Sequence, residues 1–183
     1  RPRNKGNIPI PRQTIWMANC ACPYSYGGLT MSPQPFSDLM QEITTLVFEK
    51  LNMPLPNSCN LNLYSDGLQS VGWHDDDETL FKAPDVRIIS LSLGQSRRFD
   101  IVHKENLRKR GSHFRYARKQ EPDNIIPVDL NSGDLLIMAG KMQEIYEHRV
   151  APDHSSMPRI NLTWRYITSH VQSCPRFSSE LSD

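Results

Sequence analysis

The sequence predicts a mainly β fold with a supporting helix, of the sandwich or jelly-roll kind. Three observations lead there. Only one stretch carries apolar residues at helical spacing. Short strand-like runs recur from Ser58 to Ile167, and polar or glycine turns separate them. With 183 residues, 38% hydrophobic and 22% charged, one well-buried domain is expected and no second.

In chain order, residues 1–13 read as an extended basic arm, carrying Arg1, Arg3, Lys5 and Arg12 with no acid. The main domain is expected over 14–168. Residues 20–35, with Tyr24-Ser25-Tyr26-Gly27-Gly28 and two steps into proline, read as irregular and exposed. From Phe36 to Leu51, the residues Phe36, Leu39, Met40, Ile43, Leu46, Val47 and Leu51 repeat at helical spacing, so a helix packed on a sheet is expected. Met53-Pro54-Leu55-Pro56 ends it. Strands are expected at Cys59–Ser65, Arg87–Gly94, Arg98–His103, Ser112–Arg118, Ile126–Leu130, Asp134–Ala139, Ile145–Ala151 and Arg159–Ile167. The Ser-rich segment 169–183 is expected to be a flexible tail.

No apolar run approaches the roughly 20 residues of a membrane helix, so no membrane partner is expected. No apolar core follows the basic start, so no secretory signal is expected, although the missing initiator Met leaves room for a preceding segment. Cys20, Cys22, Cys59 and Cys174 form no dense framework, which favours reduced thiols in a nuclear or cytoplasmic setting. Cys20-Ala21-Cys22 lacks the spacing of a zinc knuckle, and structural zinc is not expected.

Net charge is +1, yet its distribution is uneven. Arg97, Arg98, Lys104, Arg108, Lys109, Arg110, Arg115, Arg118 and Lys119 crowd one segment, against Asp100 and Glu105. A basic face beside a near-neutral remainder suits a polyanion such as DNA or RNA.

His74-Asp75-Asp76 and the distant His148 carry the chemistry. In an extended segment residues i and i+2 share a face, so His74 and Asp76 can converge on one ion, and His148 could close the site from a neighbouring strand. Two imidazoles and one carboxylate suit oxygen-activating Fe(II) with open positions, though zinc hydrolases use similar ligands. The last strand adds a second feature. Alternation puts Arg159, Asn161, Thr163 and Arg165 on one face and Ile160, Leu162 and Trp164 on the other. Two arginines facing a closed core would be costly without anions; facing a cavity, their forked guanidiniums suit a dicarboxylate. Asn62 and Tyr64 share a face in the same way.

These motifs, in this order and approximate spacing, resemble the AlkB family of Fe(II)/2-oxoglutarate dioxygenases from about Pro11 to Ile167. Arg159-x-Asn161-x-Thr163-x-Arg165 is the most specific part. The segment Pro23 to Pro33 resembles the base-recognition segment of the nucleic-acid dealkylation repair branch, here about residues 14–35. The resemblance implies a double-stranded β-helix with supporting helices, and Fe(II) held by His74, Asp76 and His148. It implies that Asn62 and Tyr64 contact 2-oxoglutarate, with Arg159 at the distal carboxylate and Arg165 near the metal-binding end, and counts Asn161 among the co-substrate's residues. The implied activity, with O2 as oxidant, is oxidative demethylation of N1-methyladenine and N3-methylcytosine in DNA or RNA, releasing formaldehyde, succinate and CO2. No side chain is then needed as general acid or base.

An extracted base needs a π-face. Trp16, Tyr24 and Tyr26 are the aromatic candidates, and the resemblance has Tyr26 stack the base against His74 while Tyr24 and Glu78 meet its polar edge. The basic segment around Arg97, Arg98, Lys104, Arg108, Lys109 and Arg110 would contact phosphates, which position without specifying sequence. A monomer is expected. A protein or small-molecule hydroxylase and a catalytically silent nucleic-acid-binding module are the alternatives. Charge reversal of Arg108, Lys109 and Arg110 is expected to raise the KM for oligonucleotide and to leave turnover of a free nucleotide intact. Equal losses on the two substrates would remove the phosphate role.

Overall fold

The computed structural model describes residues 10–26, 28–82, 85–108 and 121–176. They form a double-stranded β-helix of two facing antiparallel sheets. The larger runs in the order β1 (Gln13–Ala18), β4 (Ser58–Tyr64), β11 (Arg159–Arg165), β6 (Ile88–Gly94), β9 (Leu135–Met138). The smaller runs β5 (Val71–His74), β10 (Tyr146–Val150), β7 (Arg97–His103), β8 (Ile126–Leu130). A hairpin of β2 (Tyr24–Tyr26) and β3 (Leu29–Met31) stands beside them. Two short helices, α2 (Lys104–Arg108) and α3 (Met142–Ile145), flank β7 and β10.

The amphipathic stretch forms α1 (Asp38–Leu51). Ser37 caps it by accepting from the Met40 N–H at 3.3 Å, and Asn52, at φ 51°, turns left-handed to end it. Met40, Thr44 and Phe48 are its buried stripe, four residues apart. Leu39 and Leu46, expected on that stripe, are exposed instead, because the buried face is narrow and includes polar Thr44. Thr44 is buried for a reason: its Oγ1 accepts a 2.9 Å bond from the Trp164 indole of β11. Phe48 meets the same indole edge-on, with centroids 5.6 Å apart. The outer face of the larger sheet is thereby sealed by Cys59, Ile89, Leu91, Leu162 and Trp164.

Between the sheets, Tyr64, Ile88, Phe99, Leu130, Met138 and Val150 make a second apolar cluster. Tyr64, Phe99, Met138 and Val150 of this cluster also line the cavity that the polar side chains of the two sheets share. Gly94 makes the turn from one sheet to the other possible. Its φ is +92°, and a Cβ there would sit 2.5 Å from the Pro158 carbonyl, just ahead of Arg159. The chain can approach β11 this closely only at glycine.

Of the expected strands, those at 59–65, 87–94, 98–103, 126–130, 134–139, 145–151 and 159–167 are present with small shifts at their ends. The one expected at 112–118 lies outside the described residues. Four strands were not anticipated: β1, β5 and the hairpin β2–β3, which replaces the irregular segment expected at 20–35. β1 pairs with β4 from Gln13 opposite Leu63 to Ala18 opposite Ser58, so the strand begins where the extended arm was expected to end.

Trp16 is a correction. It was a candidate face for an extracted base, but it is 1% exposed, and its indole N–H donates to the Cys22 carbonyl at 3.0 Å. It packs on Tyr24 and Phe81 within a third apolar cluster and has no face left for a ligand. The expected tail also departs from expectation over 169–176. The Thr168 and Ser169 N–H groups donate to the Leu80 carbonyl, and Cys174 is buried in the same cluster as Trp16. No helix among the described residues is long and apolar enough to cross a membrane.

Candidate metal centre and co-substrate pocket

The sandwich opens into a cavity of about 560 Å³. Its walls include β4, β10 and β11, which deliver alternate residues to it, and β5, all four residues of which line it. From β11 come Arg159, Asn161, Thr163 and Arg165; from β4, Asn60, Asn62 and Tyr64; from β10, His148. The period-two reading therefore holds for β11, whereas residues from Val71 to Glu78 line the cavity without a gap.

β5 and β10 are paired so that His74 lies directly opposite His148, with ring centroids 4.3 Å apart. Asp76 follows two residues beyond His74. One side-chain ligand atom from each of His74, Asp76 and His148 lies within 4.8 Å of the other two, so the three could hold a metal ion. The ligand atoms are oriented by their neighbours. His74 donates from Nδ1 to the Gly72 carbonyl at 2.8 Å, which leaves Nε2 with its lone pair. Asp76 gives Oδ1 to Arg165 at 2.7 Å, while Oδ2 stands 3.8 Å from His148 Nε2. Its N–H donates to Gln143 Oε1 at 3.0 Å, anchoring the ligand segment to α3. Lys104 pairs with Asp75 and donates to the Gln143 carbonyl at 2.7 Å, closing the same support.

Electrostatics keep this set ready for a cation. Burial alone would raise the Asp76 pKa, but Arg165, His74 and His148 outweigh it and hold the carboxyl well below the ordinary range. His148 is pushed down to about 4, chiefly by burial and then by His74, against the pull of Asp76. At neutral pH the site thus offers a carboxylate and a neutral imidazole, as a metal requires.

Arg159 lies at the other end of the cavity. It donates Nη2 to Ser92 Oγ at 2.9 Å, while Nε and Nη1 are buried without a hydrogen-bond partner. Burial lowers its pKa, and the positive charge of Arg97 adds to that effect. Such a guanidinium is costly as it stands, and an anion would satisfy it. Asn161 bonds to Ser90 Oγ at 2.7 Å and to the Leu91 carbonyl, and receives Thr163 Oγ1 at 2.8 Å. Asn62 accepts from Arg12 Nε at 2.8 Å.

Arg12 is the residue that the sequence reading missed. Assigned to the arm, it is instead 5% exposed and lines the cavity. Its Nη2 reaches the Tyr26 hydroxyl at 2.9 Å, so one guanidinium links the β2–β3 hairpin to Asn62. The available signal was alternation: Arg12, immediately before β1, stands two residues from Thr14 and four from Trp16. Gln143, equally unforeseen, carries no sequence pattern at all.

A family description of the 2OG-Fe(II) oxygenase superfamily matches residues 3–165. The chain belongs to that superfamily. Within it the chain falls in the AlkB family. It is 34% identical over 176 residues to mouse alpha-ketoglutarate-dependent dioxygenase alkB homolog 3, covering 95% of this chain and 58% of that protein. It is 30% identical over 159 residues to human DNA oxidative demethylase ALKBH2, covering 86% of this chain and 57% of that protein. The chain thus spans a little over half the length of these curated relatives. The solved structure of OsALKBH1 shares the fold at 19% identity, with a TM-score of 0.55 over 86% of this chain and 78% of that one.

Fe(II), 2-oxoglutarate and O2 are the cofactors of this oxygenase family, and the residues present fit the first two. The donor set suits Fe(II), and the orphaned nitrogens of Arg159 suit a carboxylate.

The basic residues divide. Arg97 is buried rather than free for phosphate: it pairs with Asp153 at 2.9 Å and donates to the carbonyls of Gly67, Gln69 and Ala151. Lys104 is committed to Asp75. Arg98 pairs with Asp100 but is half exposed. Arg108 ends α2, while Lys109 and Arg110 lie outside the described residues.

The His148 shift sets a pH dependence for the metal-free protein. Its folded pKa lies below the ordinary 6.5, so on acidification the unfolded chain takes up the proton first. The stabilisation is complete above about 6.5 and is lost as pH falls towards 4. Chelator-treated protein is expected to lose on the order of 2 kcal/mol of urea stability between pH ~7 and ~5. A midpoint that holds steady or rises would mean that this imidazole is not buried neutral.

Proposed function

We propose that the chain is an Fe(II)/2-oxoglutarate dioxygenase that demethylates N-alkylated bases in DNA or RNA. The observation that carries the reading is Glu78. Its Oε1 accepts from the Tyr24 hydroxyl at 2.9 Å, while Oε2 is buried, unpartnered and part of the same cavity as His74. Burial and the charge of Asp76 raise its pKa, so a cation placed there would be favoured as a neighbour. N1-methyladenine and N3-methylcytosine are cationic bases whose exocyclic nitrogen can donate. The names of the relatives, a DNA oxidative demethylase among them, support the same substrate class.

His74, Asp76 and His148 would hold Fe(II), which supplies with 2-oxoglutarate and O2 the oxidising power to hydroxylate an N-methyl group. The hydroxymethyl product then loses formaldehyde, and 2-oxoglutarate leaves as succinate and CO2. The protein's own residues bind and orient. Arg159 receives the distal carboxylate, with Asn62, Tyr64 and Asn161 along the co-substrate. Arg165 fixes Asp76 at the metal-binding end. Tyr26, half-buried with its ring 5.1 Å from that of Tyr24, offers the stacking face across from His74. Tyr24 is itself 2% exposed, so it holds Glu78 rather than presenting a ring face. Arg98, Arg108, Lys109 and Arg110 contact phosphates. The proposed enzyme acts as a monomer. The four free cysteines support a reducing nuclear or cytoplasmic setting.

Single-stranded DNA and RNA oligonucleotides carrying either base, incubated with Fe(II), ascorbate and 2-oxoglutarate, are expected to lose one CH2 in mass per methyl. His74→Ala abolishes that loss. Succinate formed over an unaltered oligonucleotide would reject the substrate and retain the oxygenase. Arg159→Ala is expected to raise the KM for 2-oxoglutarate by ~30-fold or more, from the roughly 2–5 kcal/mol of a truncated buried charge pair. An unchanged KM would place the distal carboxylate elsewhere.

A further inference from the structure

Far along the chain from the oxygenase ligands, a second set of metal-binding side chains converges. Cys20 and Cys22 lie in the loop between β1 and β2; His170 and Cys174 lie in the segment after β11. One ligand atom from each of the four lies within 4.8 Å of every other. His170 Nδ1 is 3.3 Å from Cys22 Sγ and 3.5 Å from Cys174 Sγ. A tetrahedral zinc ion with bonds of about 2.3 Å to sulfur and about 2.0 Å to nitrogen implies sulfur–nitrogen edges of roughly 3.5 Å. The four side chains are already arranged at about that size.

We propose that Cys20, Cys22, His170 and Cys174 bind one structural zinc ion, which clamps the C-terminal segment to the base of the β2–β3 hairpin. Three features of the surroundings support it. The set supplies four ligands and leaves no open position, unlike the three-ligand centre in the cavity, and closed sites are structural ones. The sulfurs are met by backbone N–H groups, that of Val171 at Cys22 and those of Ala21 and Arg176 at Cys174. Such donors offset the negative charge that three thiolates bring to one ion. Finally, Cys22 and Cys174 are buried in one apolar cluster with Trp16 and Tyr24.

On binding, the three thiols release their protons to solvent and His170 ligates through the neutral Nδ1 that faces the sulfurs. The cysteines are free thiols here, and their odd number would leave one unpaired in any disulfide. The clamp has a clear mechanical consequence. The Cys22 carbonyl holds the Trp16 indole, Trp16 packs on Tyr24 at 4.8 Å, and Tyr24 carries Glu78. An ion at this cluster would therefore stiffen the hairpin that faces the cavity without touching the oxidation itself. The sequence expectation of no structural zinc considered Cys20-Ala21-Cys22 alone. His170-x3-Cys174 completes the set only in three dimensions.

The test uses the full chain purified without chelator, both as it stands and as a His74→Ala/His148→Ala variant that disables the other metal site. Zinc content and zinc-edge X-ray absorption are measured on both. The expected result is one zinc per chain retained in the variant, with three sulfurs at about 2.3 Å and one nitrogen at about 2.0 Å. Cys22→Ser/Cys174→Ser is expected to lose it. Removing the ion is expected to speed amide exchange in the hairpin and in residues 169–176. Absence of zinc from the variant and a sulfur-free shell in the unmodified chain would each overturn the site. So would a Cys22–Cys174 disulfide in unreduced peptides. Exchange unchanged by zinc removal would overturn the clamp.

Discussion

The buried pair of Arg165 and Asp76 joins the two halves of the functional cavity, because it ties the last strand of one sheet to the metal-ligand segment that follows the other. Both side chains are almost wholly buried, at 4% and 3% exposure. Two charges so far from water would be a net loss if either stood alone, and breaking such a pair costs about 3–5 kcal/mol. The attraction also keeps Asp76 ionised and fixes which oxygen faces His148. Arg165 in turn lies over the rings of Tyr24 and Phe81, at 5.5 and 5.3 Å. One guanidinium therefore touches a candidate metal ligand, Asp76, and the wall of the β2–β3 hairpin together.

The rest of the cavity follows from a single choice, the inward face of β11. Its outward residues Leu162 and Trp164 seal against α1, and that apolar packing sets the register in which Arg159, Asn161, Thr163 and Arg165 point inward. A slip of one residue would bury the arginines against the helix and empty the site. The apolar cluster between the sheets offsets the cost of so much buried polarity. Among the buried atoms without a partner, which include Nε and Nη1 of Arg165 and Nδ1 of His148, the nitrogens of Arg159 and the free oxygen of Glu78 mark the two ends at which ligands of opposite charge are expected.

Around this centre the support is local and redundant. Gln143 and Lys104 hold the loop carrying Asp75 and Asp76, while Arg12 links Asn62 to Tyr26. These groups keep the ligands preorganised, so binding need not pay to arrange them. The hairpin is held from both sides, by Arg12 within the cavity and by the Trp16–Cys22 contact beneath it.

By itself the sequence determined the fold class, α1 and most of the strands, because each rests on short-range periodicity. It also marked His74, Asp76, His148 and the polar face of β11, since alternation along one strand needs no partner to be read. Tertiary structure alone decided where the strands lie against each other. Pairing β5 with β10 set His74 opposite His148, and pairing β1 with β4 drew Arg12 out of a presumed arm. It buried Trp16, turned Arg97 from a phosphate ligand into an internal brace, and brought Cys20 and Cys22 to His170 and Cys174. The reason is common to all of these. Each depends on contacts between residues far apart in the chain, and the composition of a single segment carries no record of which distant neighbour will cover it.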